Sequence, residues 1–109
     1  MTGVQTCALP ILSIGAQGVI SVAANIVPKE LIAMVAAATQ GDFNTASKLH
    51  HKLFPLCRDM LSLATNPIPL KGAMKLLGRD TGELRLPMTE LEEFEIVKLR
   101  KTLTTYGLL

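Results

Sequence analysis

The stretch GAQGVISVAANIVPKE, Gly15 to Glu30, decides how this chain is read. Gly18-Val-Ile-Ser-Val22 is short, rich in β-branched residues and bounded by glycine, the pattern of a strand buried in a parallel sheet. Pro28 follows where a helix would begin, a position at which its missing N–H costs nothing. A parallel strand needs neighbours for its backbone N–H and C=O groups. No second segment of this kind appears downstream, so the rest of the sheet is unaccounted for.

The bulk numbers narrow the possibilities. A chain of 109 residues suffices for one domain and is short for two. Hydrophobic residues make up 49% of it and aromatic ones 4%, an aliphatic composition suited to helix packing and unlike that of a disordered chain. The net charge is +2 and the 11 Lys and Arg are scattered, with no basic stripe interleaved with aromatics, which argues against a nucleic-acid partner. Cys7 and Cys57 have no CxxC or CxxH context and read as free thiols of a reducing compartment, which makes the cytoplasm the expected location and leaves no metal site. No charged residue precedes Lys29, yet a secretory signal would need a basic start. Ser13, Gln17, Ser21 and the glycines interrupt the apolar run that a membrane span would need.

Beyond the first segment the patterns are helical. PKELIAMVAAATQ, residues 28–40, places Leu31, Met34, Val35 and Ala38 on one face, with Gly41 as a stop. Asp42 then stands as an N-cap before a long seam of Ala46, Leu49, Leu53, Leu56, Met60 and Leu63, spaced by threes and fours. Pro55 falls inside that seam, which continues in phase, so a bent but unbroken helix is expected. Pro67 and Pro69 force extended or turn backbone before a short helix over Leu70–Leu77, closed by Gly78. Leu84, Leu86 and Met88 punctuate a connector. Thr89 and Glu92 form a predicted capping box for a last helix carrying Leu91, Phe94, Val97 and Tyr106. One strand followed by four helices does not bury its own sheet edges, so the chain reads as a piece of something larger.

Four motifs, GVISVAANIVP, NPIPLK, LRLPMT and the closing YGLL, together resemble the C-terminal part of the dihydrodipicolinate synthase family. These are pyruvate-dependent Schiff-base lyases of the N-acetylneuraminate lyase superfamily. The similarity runs from about Leu12 to Leu109, with the motifs in the family's order. It implies an α/β family fold, a TIM barrel plus a C-terminal helical domain, of which this fragment would be mostly α-helical with one barrel strand. Residues 12–41 would be the last strand and helix of the (β/α)8 barrel and residues 42–109 the helical domain. Residues 1–11, MTGVQTCALPI, depart from the family pattern and resemble translated sequencing adapter, so a non-native leader is expected there; the rival is a divergent native start.

The family's chemistry joins a lysine amine to pyruvate as an imine, with a tyrosine as proton shuttle and an arginine for the second substrate's carboxylate. The resemblance implies condensation of pyruvate with aspartate semialdehyde on the route to diaminopimelate and lysine, no cofactor, and a homotetramer when full length. In the family those catalytic residues belong to earlier strands, so no catalytic residue is expected in this chain and the fragment alone should be inactive. The site residue that carries over is Ile20, whose backbone would line the pyruvate pocket; its bland alternative is barrel core. Ser21 and Asn25 fall near the same rim and read equally as helix-entry groups, and Gly18 permits tight packing at the strand start.

Other constellations have ordinary explanations. The seven lysines, Lys29, Lys48, Lys52, Lys71, Lys75, Lys98 and Lys101, read as solvated helix positions. His50 and His51 are adjacent and diverge by about 100° on a helix, unlike a ligand pair. Glu90, Glu92, Glu93 and Glu95 suit a helix N-terminus. Three rivals complete the set: another pyruvate aldolase of the same superfamily, a stand-alone helical interaction module, and a small membrane-anchored protein.

Overall fold

Helix formation accounts for nearly all regular structure in the computed structural model, which describes residues 8–109. In order these are α1 (Ala8–Ser13), a single 3-10 turn (Val22–Asn25), α2 (Pro28–Thr39), α3 (Phe43–Ser62), α4 (Ile68–Leu76) and α5 (Glu93–Tyr106). The chain divides into two compact units, the first ending at Arg58 and the second running from Asp59 to Leu109, so the division falls inside α3. Among the described residues no helix is long and apolar enough to cross a membrane. Cys7 and most of the expected leader lie outside the described residues; residues 8–11 open α1.

In the first unit, α1 and the 3-10 turn both pack on α2. Leu12, Ala23, Ile26 and Val27 are buried there with the Leu31, Met34 and Ala38 face of α2. The expected face of α2 is thus the buried one, except that Val35 is only half-buried. Pro28 occupies the first turn, as its fixed φ favours. At the other end Gly41 takes φ +80°, and the N–H groups of Gly41 and Asp42 donate to the carbonyls of Ala38 and Ala37. These two bonds satisfy carbonyls that the helix leaves open, and the left-handed backbone they require favours glycine.

The next helix starts immediately. The Asp42 carboxylate accepts the Thr45 N–H at 3.0 Å. Bonds from the Thr45 hydroxyl and then its N–H hold the Asp42 carboxyl below the usual carboxylate range. Helix α3 runs unbroken through Pro55, as the continuing seam predicts. Ala46, Leu53, Leu56 and Met60 of that seam are buried, and Leu49 and Leu63 half-buried.

In the second unit α4 packs on α5. Its core includes Met60, Pro69, Ala73, Leu91, Leu99 and Leu103. Gly72 sits where a Cβ would come within 2.8 Å of Leu91 Cδ1, so the missing side chain is what admits Leu91 against α4. Helix α4 begins two residues earlier than expected, taking Pro69 into its first turn.

Three expectations need correction. Gly18–Val22 is not a strand: no strand forms among the described residues, and Val22 opens the 3-10 turn. The backbone remains extended at Ser21, with φ −125° and ψ 134°, but an extended segment becomes a strand only when a neighbour supplies the ladder. The capping box of the last helix lies three residues later than Thr89–Glu92: the Glu92 N–H donates to Glu95 Oε2 at 2.8 Å. The buried line of α5 is Leu99 and Leu103, whereas Phe94 and Val97 are 73% and 64% exposed.

Candidate functional site

Gly18, Ile20, Ser21 and Asn25 lie in the segment between α1 and α2, whose second half is fixed by short-range bonds. The Ala24 N–H donates to the Ser21 carbonyl at 3.1 Å, and Ile26 and Val27 both donate to the Ala23 carbonyl. The Asn25 side chain turns back on this turn, its Nδ2 donating to the Val22 carbonyl at 3.0 Å. That bond makes Asn25 a helix-entry group in this structure. Ile20 is fully exposed, at 102%, so its side chain is not core here.

Beside this segment lies an open apolar groove of about 480 Å³. Gly18 and Val19 form one wall and Pro28, Leu31, Ile32 and Val35 the other. Ile20 does not line it. The absence of a Cβ at Gly18 meets no steric demand, since nothing lies within 4 Å of where one would be. The expected rim residues are therefore neighbours in the fold, without a polar cluster that could do chemistry by itself.

The remaining ionisable residues have structural uses. Lys71 Nζ pairs with Asp80 Oδ2 at 2.8 Å and Lys75 Nζ with Glu90 Oε1 at 2.7 Å. Lys29, Lys48, Lys52, Lys98 and Lys101 are exposed, unlike the desolvated amine that imine formation requires. His50 meets the edge of Phe54 at a centroid distance of 6.2 Å and that of His51 at 5.6 Å. Burial, and then the charge of His51, lower the His50 pKa from its ordinary value. Cys57 is buried and free, and burial pushes its thiol pKa up, away from reactivity. Among the described residues no group of three or more His, Cys, Asp or Glu is placed to hold a metal ion. Glu90 and Glu95 are committed to an ion pair and a helix cap.

One buried polar pair escaped the sequence reading. Asp59 is buried in the second unit and accepts a hydrogen bond from the Thr102 hydroxyl. The signal was present: Asp59 falls three residues after Leu56 and four before Leu63, on the apolar seam, where a charged residue type demands a partner.

The fold and sequence have clear relatives. The profile of the dihydrodipicolinate synthetase family matches residues 1–106. The chain is 49% identical over 109 residues to the 4-hydroxy-tetrahydrodipicolinate synthase of Methanococcus vannielii, covering all of this chain and 37% of that protein. A crystal structure of dihydrodipicolinate synthase superposes with a TM-score of 0.92 at 48% identity, covering 100% of this chain and 38% of the other. The dihydrodipicolinate synthase of Aquifex aeolicus superposes with a TM-score of 0.91 at 42% identity, covering 94% of this chain and 35% of the other. The chain belongs to the dihydrodipicolinate synthetase family. It spans little more than a third of the length of these relatives.

Proposed function

We propose that this chain is the C-terminal part of a 4-hydroxy-tetrahydrodipicolinate synthase, a lyase that condenses pyruvate with aspartate semialdehyde in lysine and diaminopimelate biosynthesis. The observation that carries this reading is the 49% identity, running the full length of the chain, to a protein of that name. Residues 12–41 then supply the last β/α unit of the barrel and residues 42–109 the helical domain. Ile20 contributes its backbone to the pyruvate pocket, at the carboxyl end of the last strand where barrel active sites lie. The extended backbone at Ser21, outside any sheet, and the full exposure of Ile20 agree with a segment whose partners belong to the rest of the enzyme. The whole enzyme works in the cytoplasm as a homotetramer without a cofactor, its imine formed on a lysine outside this chain. The fragment alone is inactive.

A chimaera tests this. Residues 12–109 replace the stretch they align with in the Methanococcus vannielii protein, and condensation of pyruvate with aspartate semialdehyde is assayed. Activity in the chimaera and none in the isolated chain is the expected result. A folded chimaera that forms no imine with pyruvate overturns the reading, and one that prefers another aldehyde moves it to a sister aldolase. A second graft of residues 1–109 tests the leader: a foreign segment lowers activity or folding relative to the first graft.

A further inference from the structure

Helix α5 is apolar on two sides. Leu99 and Leu103 are buried in the core of the second unit. Val97 lies about 200° around the helix from Leu99, so it stands on the far side. Val97 and Phe94 are exposed there, and their i,i+3 spacing makes them one patch. Exposed charges frame the patch: Glu93 and Arg100 lie along one edge, and Lys101 lies beside Phe94 on the other. Among the described residues no ion pair engages Glu93, Arg100 or Lys101.

This order of residues is complementary to itself when reversed. Along the axis Glu93 lies about 6 Å before Val97 and Arg100 about 4.5 Å after it. A second copy of α5 laid antiparallel, with a two-fold axis beside Val97, brings each Glu93 level with the other copy's Arg100 on the same edge. The same operation sets each Phe94 level with the other copy's Lys101, whose stem can cover the ring while its ammonium faces it. The two Val97 side chains meet at the centre. A parallel pairing would instead oppose like charges at both positions and align the two helix dipoles. We propose that this face of α5 is a dimerisation surface, and that its partner is the same face of a second copy of this chain in antiparallel orientation. In such an isologous contact each Glu93–Arg100 pair occurs twice. One helix pair is small beside stable interfaces of about 1,200–2,000 Å², so the dimer is weak, and the charge order supplies its specificity.

Sedimentation equilibrium of the whole chain and of charge-reversed variants tests the pairing. Glu93→Arg sets arginine against Arg100, and Arg100→Glu sets glutamate against Glu93. Each alone is expected to weaken dimerisation about tenfold, with the helical circular dichroism unchanged. An equimolar mixture of the two variants regains opposite charges at both positions and is expected to form a heterodimer as tight as the parent dimer. A parent chain without two-fold association overturns the proposal, as does a mixture no tighter than either variant alone. Should a reversed variant lose its helical signal, Val97→Asp decides, since it sets two carboxylates together on the axis. A monomer then supports the pairing, and parent-like association overturns it. Contact through the groove of the first unit does not follow the charge exchange, because the lining of that groove is uncharged. Pyruvate condensation by the chimaera is independent of either result.

Discussion

Thr102 donates its hydroxyl hydrogen to Oδ2 of Asp59, a carboxyl only 1% exposed and 43 positions earlier in the chain. The pair joins the last turn of α3 to the middle of α5 within the second unit. Asp59 makes a further interaction besides this one. Removing the hydroxyl leaves a buried oxygen short of one partner, and such groups cost about 1–3 kcal/mol. Thr102→Val is therefore expected to destabilise the chain by that amount in urea unfolding, and Thr102→Ser to restore most of it. Equal stability of Thr102→Val and the parent would show that the bond contributes nothing.

The two faces of α5 yield a sharper contrast. Leu99 and Leu103 are fully buried while Val97 is 64% exposed. Leu99→Ala removes atoms from the core and leaves a cavity, at about 2–5 kcal/mol. Val97→Ala changes stability by less than about 0.5 kcal/mol, as surface substitutions do. Thermal and urea unfolding of the two variants, compared with the parent, check the assignment. The opposite order would restore the sequence-predicted face.

The start of α5 makes a related prediction. The Glu95 carboxylate accepts the Glu92 N–H at 2.8 Å, and both lie at the helix's positive end. Glu95→Ala should cost about 0.3–1 kcal/mol through loss of the cap and the dipole interaction. Thr89→Ala should leave stability within about 0.5 kcal/mol. Secondary chemical shifts at Phe94 to Ile96 would show the fraying directly.

These two cases explain what was legible in the sequence. Helices α2 and α3 follow from information carried within each helix: Pro28, Gly41, Asp42 and the Ala46–Met60 seam. The last helix depends on a partner distant in sequence. Leu91 is buried beside Gly72 and Glu90 pairs with Lys75, and both hold the connector non-helical through residue 91. The Thr89 box therefore yields to the Glu92–Glu95 one, and packing against α4 decides that the face with Leu99 and Leu103 is the buried one. The Gly18–Val22 pattern also describes a fully partnered strand, and no partner strand forms among the described residues. The resemblance identified the family, while the pattern around Ile20 describes a strand that the described residues do not form.

The ion pair of Asp80 gives a pH prediction. The Lys71 hydrogen bond, followed by the Thr81 N–H, holds the Asp80 carboxyl below the usual carboxylate range. A carboxyl depressed in the folded state contributes stability above the ordinary aspartate range and loses it as pH falls through the lowered value. An NMR titration should therefore find the Asp80 midpoint below that of a free aspartate. Lys71→Met should raise the midpoint and remove part of the acid sensitivity. An unchanged midpoint in Lys71→Met would assign the shift to the backbone donor.

The exposed aliphatic residues of the first unit predict how the isolated chain behaves. Ile20 and Ile32 are 102% and 68% exposed, and Ile32 lines the apolar groove that Gly18 and Val19 also border. Extended backbone outside any sheet, beside an apolar surface, invites pairing with another chain. Light scattering should show concentration-dependent association of the chain, weakened by Ile20→Lys with Ile32→Lys. Both substitutions leave the buried Leu31, Met34 and Ala38 face untouched, so the helical circular dichroism should persist. Association that the double variant does not weaken would place the adhesive surface elsewhere. The exposed Phe94 and Val97 of α5 would then be the next residues to replace by lysine.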